Sequence, residues 1–175
     1  IGAGMSDVPT LLKTRASERP DRIYLVCPGL ELTFSQVHQR TDQIAAGLAA
    51  LGVGKGDRVA LLIGNCPAFF YLWWGLWKLG AVMVPIHLRL TAREVTYIIN
   101  HSGACWVAAG PECRGLLPEL KATCPRVSYW LSQGLETPEG MKPLEDFLSL
   151  GGRPPRTSID IDAPATILYT SGTTG

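Results

Sequence analysis

Charge is scarce in this 175-residue sequence. Asp, Glu, Lys and Arg make up 18% of it while the apolar residues reach 46%, a balance that excludes a disordered tail or a solvated filament. The net charge is only +1, so no net field draws the chain onto nucleic acid or anionic lipid. Histidine is rarer still. His38, His87 and His101 lie far apart, and no metal site is expected from them. Cysteine occurs five times, at Cys27, Cys66, Cys105, Cys113 and Cys124, with no Cys-x-x-Cys pair. An odd, scattered set is neither a zinc ribbon nor a disulfide framework, and it fits a reducing, cytoplasmic setting. Residues 1–4 precede Met5 without the charged and apolar regions of a signal peptide and read as a cloning remnant, leaving 5–175 as one incomplete domain.

Long apolar runs are also few, and the one candidate is interrupted. Segment 67–88 carries a single charge, Lys78, yet Gly75, Gly80 and Pro85 divide it. What remains is a helix of about 13 residues, short of the ~20 that a membrane span needs. Loose attachment to a membrane surface through Phe69, Trp73, Trp74 and Trp77 is the residual membrane reading.

What is present alternates. Two short apolar runs, 23–26 and 30–33, flank Cys27-Pro28-Gly29 and predict a small hairpin. Thr33 with Gln36 forms a capping box, and Val37, Ile44, Leu48 and Leu51 recur on one helical face before Gly52. Strands are expected at 59–63, 81–86, 105–109, 127–131 and 165–169. Helices begin between them at Pro67, at the Thr91/Glu94 capping box, and through Leu116, Leu117, Leu120 and Lys121. Strands buried on both faces and joined by helices predict an α/β fold with an open, mainly parallel sheet, helices on both sides, preceded by the hairpin. Segment 133–162 loses the pattern and gathers Pro and Gly, which marks a covering loop with one short helix near 144–150.

The last strand runs into Thr170, Ser171, Gly172, Thr173, Thr174 and Gly175. Carboxyl ends of parallel strands are where open α/β sheets bind ligands. Glycines there let backbone N–H groups approach an anion, and the hydroxyls add donors, so such a loop suits a polyphosphate. Its spacing is not that of a Walker loop, and by spacing alone a flexible polar tail is an equal reading. Other polar residues read as structural. Asp57 and Arg58 suit a turn before a strand, Glu94 a helix cap, and His87, although near the ligand edge, a local hydrogen bond.

YTSGTTG, following LTFSQVHQRTDQIAAGLAALGVGKGDRVALLIGN and KLGAVMVPIHLRLTAREVTYIINHSGA, strongly resembles the AMP-forming adenylate synthetase (ANL) superfamily, and most of all the acyl-CoA synthetases or fatty-acid-CoA ligases. The resemblance implies a two-step ligase that activates a carboxylic, fatty acid as acyl-AMP with ATP and Mg²⁺ and hands it to coenzyme A. It assigns phosphate binding to Thr170, Ser171, Gly172, Thr173, Thr174 and Gly175, and no catalytic or metal-ligating residue to this stretch. In that family the loop continues into Pro-Lys-Gly, and the adenine pocket, the Mg²⁺-binding acid, a mobile C-terminal domain and its lysine follow later. The chain is therefore expected to be the N-terminal part of a longer enzyme and inactive alone. The alternatives are a non-catalytic nucleotide-binding or interaction module, or another adenylating enzyme such as an aryl-CoA ligase or peptide-synthetase adenylation domain. With later residues missing, the Val37, Ile44, Leu48 and Leu51 stripe is expected to be exposed and covered by a second copy in a homodimer.

Overall fold

In a computed structural model, residues 7–134, 136–149 and 152–170 are described. The chain opens with α1 (Val8–Glu18), capped by the Asp7 carboxylate, which accepts from the Thr10 amide at 2.7 Å. The hairpin β1 (Ile23–Cys27) and β2 (Leu30–Thr33) turns at Gly29, whose φ of +73° is one that other residues adopt only under strain. Thr33 then starts α2 (Phe34–Ala50), and its reciprocal bonds with Gln36 form the expected capping box.

From there strand and helix alternate: β3 (Arg58–Leu62), α3 (Pro67–Lys78), β4 (Val82–Pro85), α4 (Ala92–Ser102) and β5 (Trp106–Ala109). A 3₁₀ turn (Pro111–Leu116) leads into α5 (Leu117–Thr123), then β6 (Tyr129–Ser132), β7 (Lys142–Pro143) and α6 (Glu145–Ser149). The sheet order is β4-β3-β5-β6-β7, parallel throughout. Side chains alternate across it with period two. Val59, Leu61, Met83, Ala108 and Leu131 face one core with α2 and α3, while Ala60, Leu62, Val84, Val107 and Trp130 face another with α4 and α5. Burial on both faces is why these strands read as continuous apolar runs.

Three expectations need correction. Segment 165–169 is not a full strand: it lies beside β4 through one parallel bridge, Met83 to Thr166, with Met83 N donating to Ala165 O (3.0 Å) and Ile167 N to Met83 O (2.9 Å). The next donor that such a ladder would need from β4 is the N–H of Pro85, and proline has none. The fifth strand is instead β7, at the far edge, inside the stretch read as a loop.

The α2 stripe is also not exposed. Val37, Ile44 and Leu48 are fully buried and Leu51 half-buried, because α1, α3 and α6 all pack on α2. Phe147 of α6 lies so close to Gly47 that a Cβ there would overlap its ring, and one at Gly75 would lie 2.8 Å from Ile44 Cγ2. The chain covers this stripe itself, so the reason for expecting a dimer there is gone. Finally, α1 carries no strong apolar periodicity and was not expected at all; it buries only Leu12 and Ala16.

The close approach at Gly47 generates a test. Gly47→Val should lower stability by about 1–3 kcal/mol through overpacking, while Gly115→Ala, where a Cβ meets nothing within 4 Å, should leave the urea midpoint nearly unchanged.

Candidate phosphate-binding edge

The parallel sheet presents its strand carboxyl ends at one edge, and the extended segment through Thr166 runs in the same direction as β4, carrying Thr170 toward that edge. The indole Nε1 of Trp77, in the last turn of α3, donates to Ala165 O at 3.1 Å. Ile167 and Tyr169 pack on the α4 side of the core, whereas Leu168 between them is 71% exposed. This alternation is that of a strand even where the ladder is incomplete. The Tyr169 hydroxyl lies 2.8 Å from His101 Nδ1. Thr170 is exposed. Ser171, Gly172, Thr173, Thr174 and Gly175 lie outside the described residues, so the assigned loop is seen only as far as its first residue.

The residues read as structural make local or helix-end hydrogen bonds. Asp57 Oδ2 accepts from Gly54 N at 2.8 Å. Arg58 donates to the carbonyls of Ser102 (3.3 Å) and Gly103 (3.1 Å) at the end of α4. A cation there satisfies carbonyls that the helix leaves free and meets the negative end of its dipole. Glu94 accepts from both the amide and the hydroxyl of Thr91 at 2.7 Å, and these bonds hold its carboxyl below the usual range. His87 is exposed, and its Nδ1 accepts from Arg89 N at 3.2 Å. Phe69, Trp73, Trp74 and Trp77 stack edge to face along α3, and none of the four is exposed.

One cluster was missed in the sequence. The Lys78 side chain is 6% exposed, with Nζ 2.6 Å from Asp42 Oδ1, 2.6 Å from Thr41 Oγ1, 3.0 Å from His38 Nδ1 and 3.1 Å from His38 O. An ammonium donor fixes His38 Nδ1 as the acceptor, which puts the imidazole proton on Nε2, 3.6 Å from Asp42 Oδ2. Burial lowers the Lys78 pKa, with Asp42 pulling it back. Burial, followed by the Lys78 charge, holds His38 below its ordinary value. The signal was present: one cation ending an otherwise uncharged apolar helix needs a buried acid. This cluster lines a groove of about 870 Å³ with Lys13, Arg153 and Arg156. Lys78 precedes β4, so the groove lies toward the amino ends of the strands, away from the edge that Thr170 approaches. Among the described residues, no group of three or more His, Cys, Asp or Glu is arranged to hold a metal ion, and all five cysteines are free thiols. No described helix is long and apolar enough to cross a membrane.

Residues 12–175 match the family described as AMP-binding enzyme. The chain belongs to that family. It is 35% identical over 153 residues to the crotonobetaine/carnitine–CoA ligase of Proteus mirabilis (strain HI4320), covering 82% of this chain and 29% of that protein. It is 34% identical over 177 residues to the long-chain-fatty-acid–CoA ligase FadD13 of Mycobacterium tuberculosis (strain H37Rv), covering 98% and 34%. The inhibitor-bound N-terminal domain of FACL13 from Mycobacterium tuberculosis superposes with a TM-score of 0.86 at 33% identity, over 98% of this chain and 42% of that one. The anthranilate CoA ligase AuaEII, solved with anthranoyl-AMP, gives 0.85 at 26% identity, over 97% and 33%. The chain spans about a third of the length of the curated relatives it matches. The α/β architecture and the acid–CoA ligase resemblance are thus both borne out.

Two measurements test the buried cluster. Asp42→Ala leaves the buried Lys78 charge uncompensated and should cost about 3–5 kcal/mol, whereas Lys78→Met removes the more deeply buried charge and leaves Asp42 the more exposed of the two and beside His38 Nε2, and should cost less. Urea unfolding of both variants decides. The folded state also binds a proton on His38 less tightly than the unfolded chain, so this stability is present above the ordinary value of 6.5 and lost as pH falls through the lowered folded value. His38→Gln should flatten the fall in urea midpoint between pH 6.5 and 5 that the unsubstituted chain shows.

Proposed function

We propose that this chain is the N-terminal part of an ATP-dependent, AMP-forming acid–CoA ligase that activates a fatty or related carboxylic acid and transfers it to coenzyme A. The observation that supports this most is the path of segment 165–170: it pairs parallel to β4 at Thr166, and Thr170 opens the run Thr170, Ser171, Gly172, Thr173, Thr174 and Gly175 in the sequence. Family membership and the likeness to two acid–CoA ligases support the reaction class. We take the fatty acid as substrate because FadD13 is named a long-chain-fatty-acid ligase, and the site as cytoplasmic because five unpaired thiols suit a reducing compartment.

In the reaction, a substrate carboxylate oxygen attacks the α-phosphorus of ATP, the bond to the bridging oxygen breaks, and pyrophosphate leaves. The thiol of coenzyme A then displaces AMP from the acyl carbon. Such steps need positioning and charge neutralisation more than a protein nucleophile. The role of this chain is the hold on the β- and γ-phosphates: hydroxyls of Thr170, Ser171, Thr173 and Thr174 donate to their oxygens, and Gly172 and Gly175 let the backbone close in. Mg²⁺, when bound with ATP, would supply charge neutralisation on the phosphates, and no residue of this chain is assigned to ligate it. No residue here is assigned a chemical step, so the adenylate is formed only with the later parts of the enzyme.

A pyrophosphate-release assay tests both halves. The 175-residue chain alone should release none from ATP with a panel of fatty acids. In the complete ligase, Thr173→Ala should lower kcat/KM for ATP by about 10²-fold, the cost of removing one oriented donor, and Gly175→Ala should lower it too, because its Cβ keeps the backbone from closing on the phosphates. Unchanged kinetics in both variants would remove the loop assignment.

A further inference from the structure

The groove that holds the Lys78 cluster carries further charge that the cluster does not use. Lys13, Lys78, Arg153 and Arg156 line it against two acids, Asp7 and Asp42, a local excess of two positive charges in a chain whose net charge is only +1. Asp42 is taken up by Lys78, and Asp7 by the Thr10 amide. Lys13, Arg153 and Arg156 are exposed and make no ion pair among the described residues. The two arginines are also held in place. In Arg153-Pro154-Pro155-Arg156 each proline fixes its own φ and biases the residue before it toward extended backbone. A polyproline II path has three residues per turn and rises about 3.1 Å per residue, so Arg153 and Arg156 leave the same side about 9 Å apart, and both line the groove. The segment is tied at its two ends. A Cβ on Gly152 would lie 3.3 Å from Ala46 Cβ of α2, and Ser158 O accepts from Lys55 Nζ at 3.3 Å.

We propose that this groove binds a small soluble organic phosphate through Arg153, Arg156 and Lys13, at a site separate from the edge proposed for ATP and independent of the reaction class proposed above. Charge selects the ligand. One phosphate monoester carries about −1.5 to −2 near neutral pH and offers three acceptor oxygens, which matches the local excess of two, and a guanidinium takes such oxygens in pairs. The volume of about 870 Å³ is that of a pocket for a cofactor-sized molecule. A membrane surface fits less well. Charge-driven attachment to anionic lipid uses clusters of about four to eight Lys and Arg, whereas this concave groove offers Lys13, Arg153 and Arg156, with Lys78 buried beneath them.

An NMR titration of the 175-residue chain with inorganic phosphate and with glycerol phosphate tests the site, with glycerol as the uncharged probe. Both phosphates should bind saturably and shift the ring resonances of His38, which lines the groove, while glycerol shifts nothing. Arg153→Ala, Arg156→Ala and Lys13→Ala should each weaken glycerol phosphate binding about tenfold, the effect of losing one hydrogen bond to a charged group. Arg89→Ala removes an exposed cation that follows β4 at the opposite edge of the sheet, and it should bind as the unsubstituted chain does. All four side chains are exposed, so the urea midpoints should stay in place and lost binding is then not lost folding. Absence of saturable binding, equal affinity in the three groove variants, or a loss confined to Arg89→Ala overturns the proposal. Attachment to phosphatidylserine vesicles without affinity for either soluble phosphate overturns it as well.

Discussion

The contact on which the rest of this structure hangs is the ion pair between Lys78 and Asp42 at the crossing of α3 and α2. Desolvating two charges is costly, and the cost is met here only because the ammonium also reaches Thr41 and both polar groups of His38. Such a cluster tolerates one geometry. It pins the last turn of α3, and that turn carries Trp77, whose indole holds Ala165. The same turn leads directly into β4, whose Met83 makes both hydrogen bonds to the late segment. The buried charge thus lies in the turn that also holds Ala165 and leads into β4.

The two edges of the sheet thus divide the work. At the amino ends, charges and caps tie elements together: Lys78 to Asp42, Arg58 to the end of α4, and Asp57 to its own turn. The segment through Thr166 runs parallel to β4, and the residues proposed to hold phosphate follow it in the sequence. Asp57 and Arg58, although charged, are taken up by hydrogen bonds with Gly54 and with the end of α4. The proposed phosphate edge agrees with the general placement of ligands in open α/β sheets.

Much of this architecture was legible in the sequence, for local reasons. The hairpin, both capping boxes and the aliphatic strands are each specified by residues adjacent in the chain. What escaped depends on distant partners. The two-residue strand β7 has no periodicity of its own and exists because β6 offers Leu131 and Ser132 to pair with. The stripe on α2 reads as unpartnered until α6 brings Phe147 onto Gly47, and no local pattern announces that docking. Segment 165–169 has the composition of a strand, yet Pro85 on its neighbour limits the ladder to one bridge. In the candidate site, the glycine and hydroxyl run was visible as a motif, while Tyr169 with His101 was not, since 68 residues separate them.

The central claim is that the run from Thr170 to Gly175 holds the departing phosphates of ATP in an acid–CoA ligase. A crystal structure of the complete enzyme with a non-hydrolysable ATP analogue tests it most directly. The account predicts backbone amides and hydroxyls of residues 170–175 within hydrogen-bond distance, about 2.7–3.2 Å, of β- and γ-phosphate oxygens. A nucleotide whose phosphates lie elsewhere, with this run touching none of them, would contradict it.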